Sequence, residues 1–355
     1  MERKLASIQI INEIKPIPNA DKLEVATVLG WNVVVEKNRY NIGDKVVYFE
    51  IDSCLPVVPE YEFLRKSSYK NSPILGEVFR LKTIKLRGQI SQGLILPIDV
   101  CFKNCVSLSD MDFEVGQDVT ELLNVKKWEE PEKTVVGGES KGKRPFWIEK
   151  SKETRIQSAP ELFNEFENVP YYITTKYDGS SHFIAIDPDN EFHFGSHNLE
   201  LKPIYKKGGF YQFIVENDLE NKLRNLKTQN NWNYVYIIGE WCGEGIQKNK
   251  LQLIKPQWYP FTINVNSQRL DMMNTITISA ELGVEMVKVE EVGDNLLANY
   301  KTIDELIERA GKDSCNVYGG RQCEGIVIRP IEPIFSNTLR DYLSMKVINN
   351  YYLLK

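Results

Sequence analysis

Short runs in which apolar and polar residues alternate dominate the first third of the chain. Leu23, Val25, Thr27 and Leu29 alternate with their neighbours, a Gly-Trp turn follows, and then come 33-VVV-35, 46-VVYFEI-51 and 78-VFRLKTIKLRGQISQGLILPI-98. A period of two is that of a strand with one buried face, and the breaks PIPNAD, NIGD and RGQ carry turn residues. Strands this short predict a small barrel of the OB type over residues 1–125. Within 79-FRLK-82 and 84-IKLR-87 the alternation predicts Phe79, Leu81, Ile84 and Leu86 pointing inward, with Arg80, Lys82, Lys85 and Arg87 on the opposite face. That face reads equally as a solvated sheet surface or as a contact for nucleic-acid phosphates.

The period is lost over residues 126–150. The stretch KKWEEPEKTVVGGESKGKRPFW (126–147) is charge-rich and contains Pro and Gly-Gly, which predicts a linker. Strands return in 171-YYITT-175, 182-HFIAI-186, 234-YVYIIGEW-241, 259-YPFTINV-265, 325-GIVIR-329 and 345-MKVI-348. Two stretches have helical spacing: 211-YQFIVENDLENKLRNLK-227 aligns Phe213, Leu219, Leu223 and Leu226, and 302-TIDELIERA-310 opens with a Thr-x-x-Glu capping box. The class is therefore α+β, with residues 151–355 as a second domain; 355 residues suit two cores.

Composition acts by exclusion. The chain is 42% hydrophobic and 26% charged, and no apolar run approaches the ~20 residues of a membrane-crossing helix. The opening MERKLASIQIINEI lacks the apolar core of a secretion signal, so a cytoplasmic location is expected. Six scattered cysteines and three histidines do not fall at zinc spacing and supply a histidine-based triad poorly. Chemistry then rests on Lys, Arg, Asp and Glu. The net charge of −5 argues against binding nucleic acid through the whole surface, but Lys141, Lys143, Arg144, Lys150, Lys152 and Arg155 form a local basic strip.

The stretch 171-YYITTKYDGSSHFIAI-186 sets Lys176 between two strands and follows it with Asp178 and Gly179. Lys-x-Asp-Gly alone reads as readily as a charged hairpin turn. Downstream, Glu240 ends an apolar strand, Glu324 opens another, and Lys346 lies inside a third; charges among so many Ile and Val are paired or used. A lysine amine becomes a nucleophile at neutral pH only through burial, a neighbouring cation or a metal. Asp178 and Glu324 are candidate carboxylates for a divalent ion, and Gly179 with the two serines allows a tight turn. No P-loop or Gly-x-Gly-x-x-Gly turn is present.

These residues carry a resemblance. KYDG (176–179), GEWCG (239–243), PFTI (260–263), EGIVIR (324–329) and MKVIN (345–349) resemble motifs I, III, IIIa, IV and V of the lysyl-nucleotidyltransferases, the superfamily of RNA ligases, DNA ligases and capping enzymes. FWIEKSKETRIQSAPELF (146–163) and FGSHNLEL (194–201) are similar to the segment before motif I and to motif Ia of ATP-dependent RNA ligases. DKLEVATVLGWNVVV (21–35), DKVVYFEIDSCLP (44–56) and RGQISQGLILP (87–97) resemble the OB module of the Deinococcus-type RNA ligases. The resemblance implies a nucleotidyltransferase domain of antiparallel sheets with flanking helices. It implies ATP and Mg²⁺ or Mn²⁺, and a lysyl-AMP intermediate on Lys176 that seals RNA 3′-OH and 5′-phosphate ends. The expected substrate is nicked duplex with an RNA 3′-OH strand, as in RNA repair, and the expected enzyme is a monomer.

Carried over by position, the resemblance gives Asp178 and Glu324 to the metal, Glu240 to the ribose, Phe261 to the adenine ring, and Lys346 to the α-phosphate. Thr174 and Thr175 fall where the family reads the adenine edge, His197 falls in motif Ia, and Arg155 and Arg329, with Lys82, Lys85 and Arg87 of the first domain, are assigned to phosphate or RNA. Trp258 and Tyr259 are rival stacking rings to Phe261. Three positions depart from the family pattern: His197 replaces an arginine, Thr262 an aspartate, and Ser344 the first lysine of motif V. A DNA ligase or capping enzyme normally carries its OB domain after motif V, where only nine residues follow Lys346 here. A non-catalytic OB-fold RNA-binding protein is the alternative of a different class.

Overall fold

The structure, a computed structural model, describes residues 3–102, 112–128, 139–151, 153–247, 249, 251–312, 324–350 and 352. The chain divides into two compact units, Met1–Lys133 and Thr134–Tyr352.

The first unit consists of short strands, with one four-residue helix α1 (Arg65–Ser68) and 3₁₀ turns. Strands β1 (Ala6–Ile10), β2 (Glu13–Pro16), β3 (Leu23–Val28), β4 (Trp31–Glu36), β5 (Lys45–Phe49) and β6 (Ser53–Pro56) precede the helix. After it come β7 (Tyr69–Ser72), β8 (Gly76–Arg80), β9 (Ile84–Leu86), β10 (Gln89–Ser91), β11 (Leu94–Pro97) and β12 (Lys126–Lys127). Sheet order is β1-β5-β11, β2-β3-β4 and β12-β6-β8-β7, with β9-β10 a separate hairpin. The central strand β5 shows why its sequence is a continuous apolar run. Val47 and Phe49 face one core with Ile8, Leu55 and Phe79, while Val46 and Tyr48 face another with Trp31, Val33 and Ile95. Each such side chain contributes about 1.5–3 kcal/mol by leaving water.

Two expectations for this unit are corrected. Ile84 and Leu86 are 42% and 37% exposed, because among the described strands β9 pairs only with β10. Arg80 does not join Lys85 and Arg87 on an open basic face; its guanidinium pairs with Asp52 at 3.1 Å and stacks on Trp128 at 4.4 Å. Lys85 and Arg87 are exposed on the hairpin, Arg87 at its turn, and Lys82 is exposed just before it. In the segment read as a linker, β12 pairs with β6 at one end, and at the other β13 (Ser140–Lys143) pairs with a strand of the second unit.

The second unit holds two larger sheets. Its strands are β13, β14 (Thr154–Arg155), β15 (Tyr171–Lys176), β16 (Ser180–Ile186), β17 (Phe192–Ser196), β18 (Leu199–Leu201), β19 (Val235–Cys242) and β20 (Gln257–Val265). Then follow β21 (Gln268–Arg269), β22 (Val289–Gly293), β23 (Gly325–Pro330), β24 (Phe335–Ser336), β25 (Asp341–Tyr342) and β26 (Met345–Ile348). One sheet runs β13-β18-β17-β16-β19-β20-β21 and the other β14-β26-β23-β15-β22, antiparallel except for β14 beside β26. Helices α2 (Phe210–Glu216), α3 (Leu219–Gln229) and α4 (Met272–Leu282) cover the first sheet through Ile184, Ile186, Ile237 and Ile263. The second is backed by α5 (Leu296–Asn299) and α6 (Ile303–Lys312), whose Leu296, Leu306 and Ala310 pack on Tyr171, Ile173, Ile326, Ile328 and Val347.

The single helix expected over 211–227 is two. The Asn217 side chain donates to the Phe213 carbonyl at 2.9 Å, and Asp218 adopts a left-handed φ of 54°, so a local cap competes successfully with the apolar stripe. Half of the expected capping box of α6 forms, with the Glu305 N–H donating to Thr302 Oγ1 at 3.3 Å, while the Glu305 carboxylate accepts from the Lys301 N–H at 2.7 Å.

Candidate active site

The period of two in the second sheet assembles the site. On β15, Tyr171 and Ile173 enter the core, so Thr174 and Lys176 face the other way or the strand's end; on β23 Ile326 and Ile328 are core, and on β26 Met345 and Val347. Val327, Arg329 and Lys346 are left on the face of Thr174 and Lys176, and in register Thr174 lies opposite Val327, which lies opposite Lys346. These five residues line a cavity of about 200 Å³. The first sheet contributes Ser181, Glu240 and Phe261, the first two directly opposite each other across β16 and β19.

Lys176 ends β15, and its ammonium donates to Glu324 at 2.6 Å. Burial pushes this lysine down, but the carboxylates of Glu324, Glu240 and Asp178 outweigh it, and the net direction is up. Glu240 is pushed up to about 7 by burial, with Lys176 opposing and Glu324 reinforcing. Lys346 is pushed down to about 7 by burial, then by Lys176 and by Arg155, its parallel neighbour. The resting site thus holds a charged lysine among carboxylates beside a second lysine that gives up its proton readily.

Two glycines are required by close approach. A Cβ on Gly179 would lie 2.5 Å from the Trp241 carbonyl oxygen and 2.6 Å from Cys242 Sγ, so its role is to let the chain pass β19 rather than to make the tight turn expected from sequence. Its N–H donates to Glu240 at 3.0 Å, tying motif I to the strand that carries this acid. Gly325 has φ +154°, and a Cβ there would meet the Val347 oxygen at 2.1 Å. That close packing sets Glu324 at the end of β15.

Of the candidate rings, Trp258 and Tyr259 are buried in cores, Tyr259 against Tyr177 with centroids 4.9 Å apart; Phe261 is the ring at the cavity. Thr175 also lines it and donates to Glu290 at 2.6 Å. Arg155 is half-buried beside Lys346. His197 and Asp178 are not among the described residues lining the cavity; His197 lies between β17 and β18, and Asp178 accepts a hydrogen bond from the Tyr352 hydroxyl. Thr262 is buried and also outside it.

Arg329 is corrected. It borders the cavity, but its guanidinium is committed to Glu153 and to the Phe261 carbonyl, so it braces the site rather than offering an open phosphate contact. Ser344 donates to the same Glu153. Burial pushes this acid up, but Arg329, Ser344 and Arg269 hold it down at about 2. The basic strip is corrected too: Lys141 pairs with Glu200 at 2.8 Å, Lys150 donates to Asn198 at 2.6 Å, and buried Arg144 stacks on Phe183 at 4.6 Å. Lys152 lies outside the described residues. Sequence reasoning missed Glu153, Glu290 and Tyr352; only Glu153 gave a signal, as an acid inside a basic run.

Because Glu240 rises from 4.5 unfolded to about 7 folded, its contribution is full below the unfolded value and lost as pH climbs through 7. Glu240→Gln, an uncharged match in shape, should melt above wild type near pH 8 and lose that advantage at about pH 5. Melting curves at the two pH values check it; an equal offset at both contradicts the assignment of burial as the cause.

A family model described as RNA ligase matches residues 169–348, and one described as an OB-fold domain matches residues 5–98, where the strand spacing had predicted that module. Solved structures of Naegleria gruberi RNA ligase resemble the whole chain. A mutant with ATP and Mn is 28% identical with a TM-score of 0.78, the match covering 99% of this chain and 98% of that one. The form with PPi is 30% identical with a TM-score of 0.77 and the same coverage, and an apo mutant is 29% identical with a TM-score of 0.77, covering 99% and 97%. No curated protein sequence matches the chain.

Proposed function

We propose that this chain, which belongs to the RNA ligase family, is an ATP-dependent RNA ligase that joins a 3′-OH to a 5′-phosphate through AMP carried on Lys176. The observation that carries the reading is the meeting of Lys176, paired with Glu324 at 2.6 Å, with Glu240, Phe261 and Lys346 around one cavity. Glu324 takes the proton that Lys176 must shed. The freed amine attacks the α-phosphorus of ATP, the bond to pyrophosphate breaks, and a phosphoramidate to AMP forms. Phe261 stacks on the adenine, Thr174 and Thr175 meet its edge, Glu240 holds the ribose, and Lys346 sits at the α-phosphate.

In the second step an oxygen of the RNA 5′-phosphate attacks the same phosphorus, and the Lys176 amine leaves with its electron pair. In the third the 3′-hydroxyl attacks the 5′-phosphate, the new phosphodiester forms, and AMP leaves. Asp178 and Glu324 are oxygen donors beside Lys176, a set that fits Mg²⁺ or Mn²⁺ and offers nothing to a soft ion. When bound, such an ion supplies charge that offsets the phosphate oxygens and favours the unprotonated amine. Arg155, next to Lys346, is a further candidate for phosphate in the second unit, and the exposed Lys82, Lys85 and Arg87 of the first unit are candidates for RNA phosphates.

The substrate of this reading is a nick with an RNA 3′-OH strand, and its setting RNA repair by a monomer in the cytoplasm. Free Cys54, Cys101 and Cys242 suit a reducing compartment. No helix among the described residues is long and apolar enough to cross a membrane. On nicked duplexes with RNA or DNA at the 3′-OH, the full chain should seal the RNA form faster. A chain beginning at Thr134 should keep self-adenylation and lose most joining. Equal sealing of both nicks overturns the substrate assignment, and full sealing by the shortened chain overturns the strand-binding role of the first unit.

A further inference from the structure

The chain stays at the site after β26. Asn349, wholly buried, donates its backbone N–H to the Glu324 carbonyl at 2.9 Å, and Tyr352 turns back to donate its own N–H to the Asn349 carbonyl at 3.0 Å. This turn brings the buried Tyr352 phenol to Asp178, where its hydroxyl donates to Oδ2. One short segment therefore holds the backbone of Glu324 and the side chain of Asp178, the two acids assigned to the metal. A carboxylate that accepts a hydrogen bond on one oxygen loses much of its freedom to rotate. Outer groups that fix a metal-binding carboxylate in this way govern how tightly the ion is held.

We propose that Tyr352 is a positioning residue for the divalent ion: its hydroxyl holds Asp178 Oδ2 and so restrains the carboxylate that would meet the metal. The inference rests on Asp178 as a metal-binding carboxylate. It assigns Tyr352 no contact with ATP or RNA, so its loss is confined to the metal. Tyr352→Phe keeps the ring that fills the buried position and deletes only the donor.

The test uses the full-length chain holding an ATP analogue with a methylene bridge between the α- and β-phosphates. Mn²⁺ is titrated in and the free ion is followed by electron paramagnetic resonance. Tyr352→Phe should raise the Mn²⁺ dissociation constant about ten-fold. Affinity for the analogue without metal, and the melting temperature, should stay at wild-type values, which a loss of packing alone would not produce. In an Asp178→Asn background the tyrosine change should add no further loss. If Asp178→Asn weakens Mn²⁺ and Tyr352→Phe does not, the positioning role is overturned and the metal role of Asp178 stands. Tighter Mn²⁺ binding by Tyr352→Phe also overturns it, since the phenol would then compete with the ion. If Asp178→Asn leaves Mn²⁺ binding unchanged, the reading of Asp178 itself fails.

Discussion

Lys176→Ala yields no protein-bound label from α-labelled ATP, and sealing of a 5′-phosphate nick falls by about 10⁴-fold or more, the scale of losing a covalent nucleophile. The expectation is strict because of where the other cations stand. Among the described residues lining the cavity, the only other lysine is Lys346, which approaches from β26 rather than from the end of β15. Arg329 is held by Glu153, and a guanidinium does not lose its proton at neutral pH. A supply of pre-adenylated RNA should restore joining by the variant in part, because the last step needs no free Lys176 amine. Label retained by Lys176→Ala would show that another residue carries the adenylate.

Lys346→Met slows adenylation by about 10²–10³-fold, the cost of removing one preorganised donor from a developing phosphate charge. Its pH signature separates this cation from a packing role. In the free protein burial, then Lys176 and Arg155, keep Lys346 at about 7, well below an ordinary lysine. A bound triphosphate raises it again, so above pH 7 binding takes up a proton, and affinity for ATP falls as pH rises from about 7 toward the bound-state value. Calorimetric titration of ATP across that range should show the slope in wild type and lose it in Lys346→Met. A wild-type affinity flat across the same range contradicts the buried-cation role.

The second sheet was legible because its rule is simple. Alternation in 171-YYITTK-176, 325-GIVIRP-330 and 345-MKVI-348 sends Tyr171, Ile173, Ile326, Ile328, Met345 and Val347 to one side, and it leaves Lys176, Arg329 and Lys346 clear of that core. What alternation cannot give is the partner. Arg329 reads as an available cation until Glu153, 176 residues earlier, takes it, and Ser344 reads as a missing lysine until it donates to the same acid. Tyr352 is equally hidden, since a turn beyond the last strand carries no period. Ile84 and Leu86 follow the strand rule but stand exposed on a hairpin of two strands. The break at Asn217–Asp218 is a local side-chain cap, which an apolar stripe does not reveal. Gly179 looks like a turn residue and is a spacer, because the strand it passes begins its contact 61 residues downstream, at Glu240.

The central claim is that Lys176 itself carries AMP. Wild-type protein incubated with ATP and Mn²⁺, digested without acid and analysed by peptide mass spectrometry, should show one AMP adduct, on Lys176 in the peptide containing KYDG. An adduct on any other residue would contradict the account by placing AMP on a different side chain, and none in protein that binds ATP would leave an RNA-binding protein in place of a ligase.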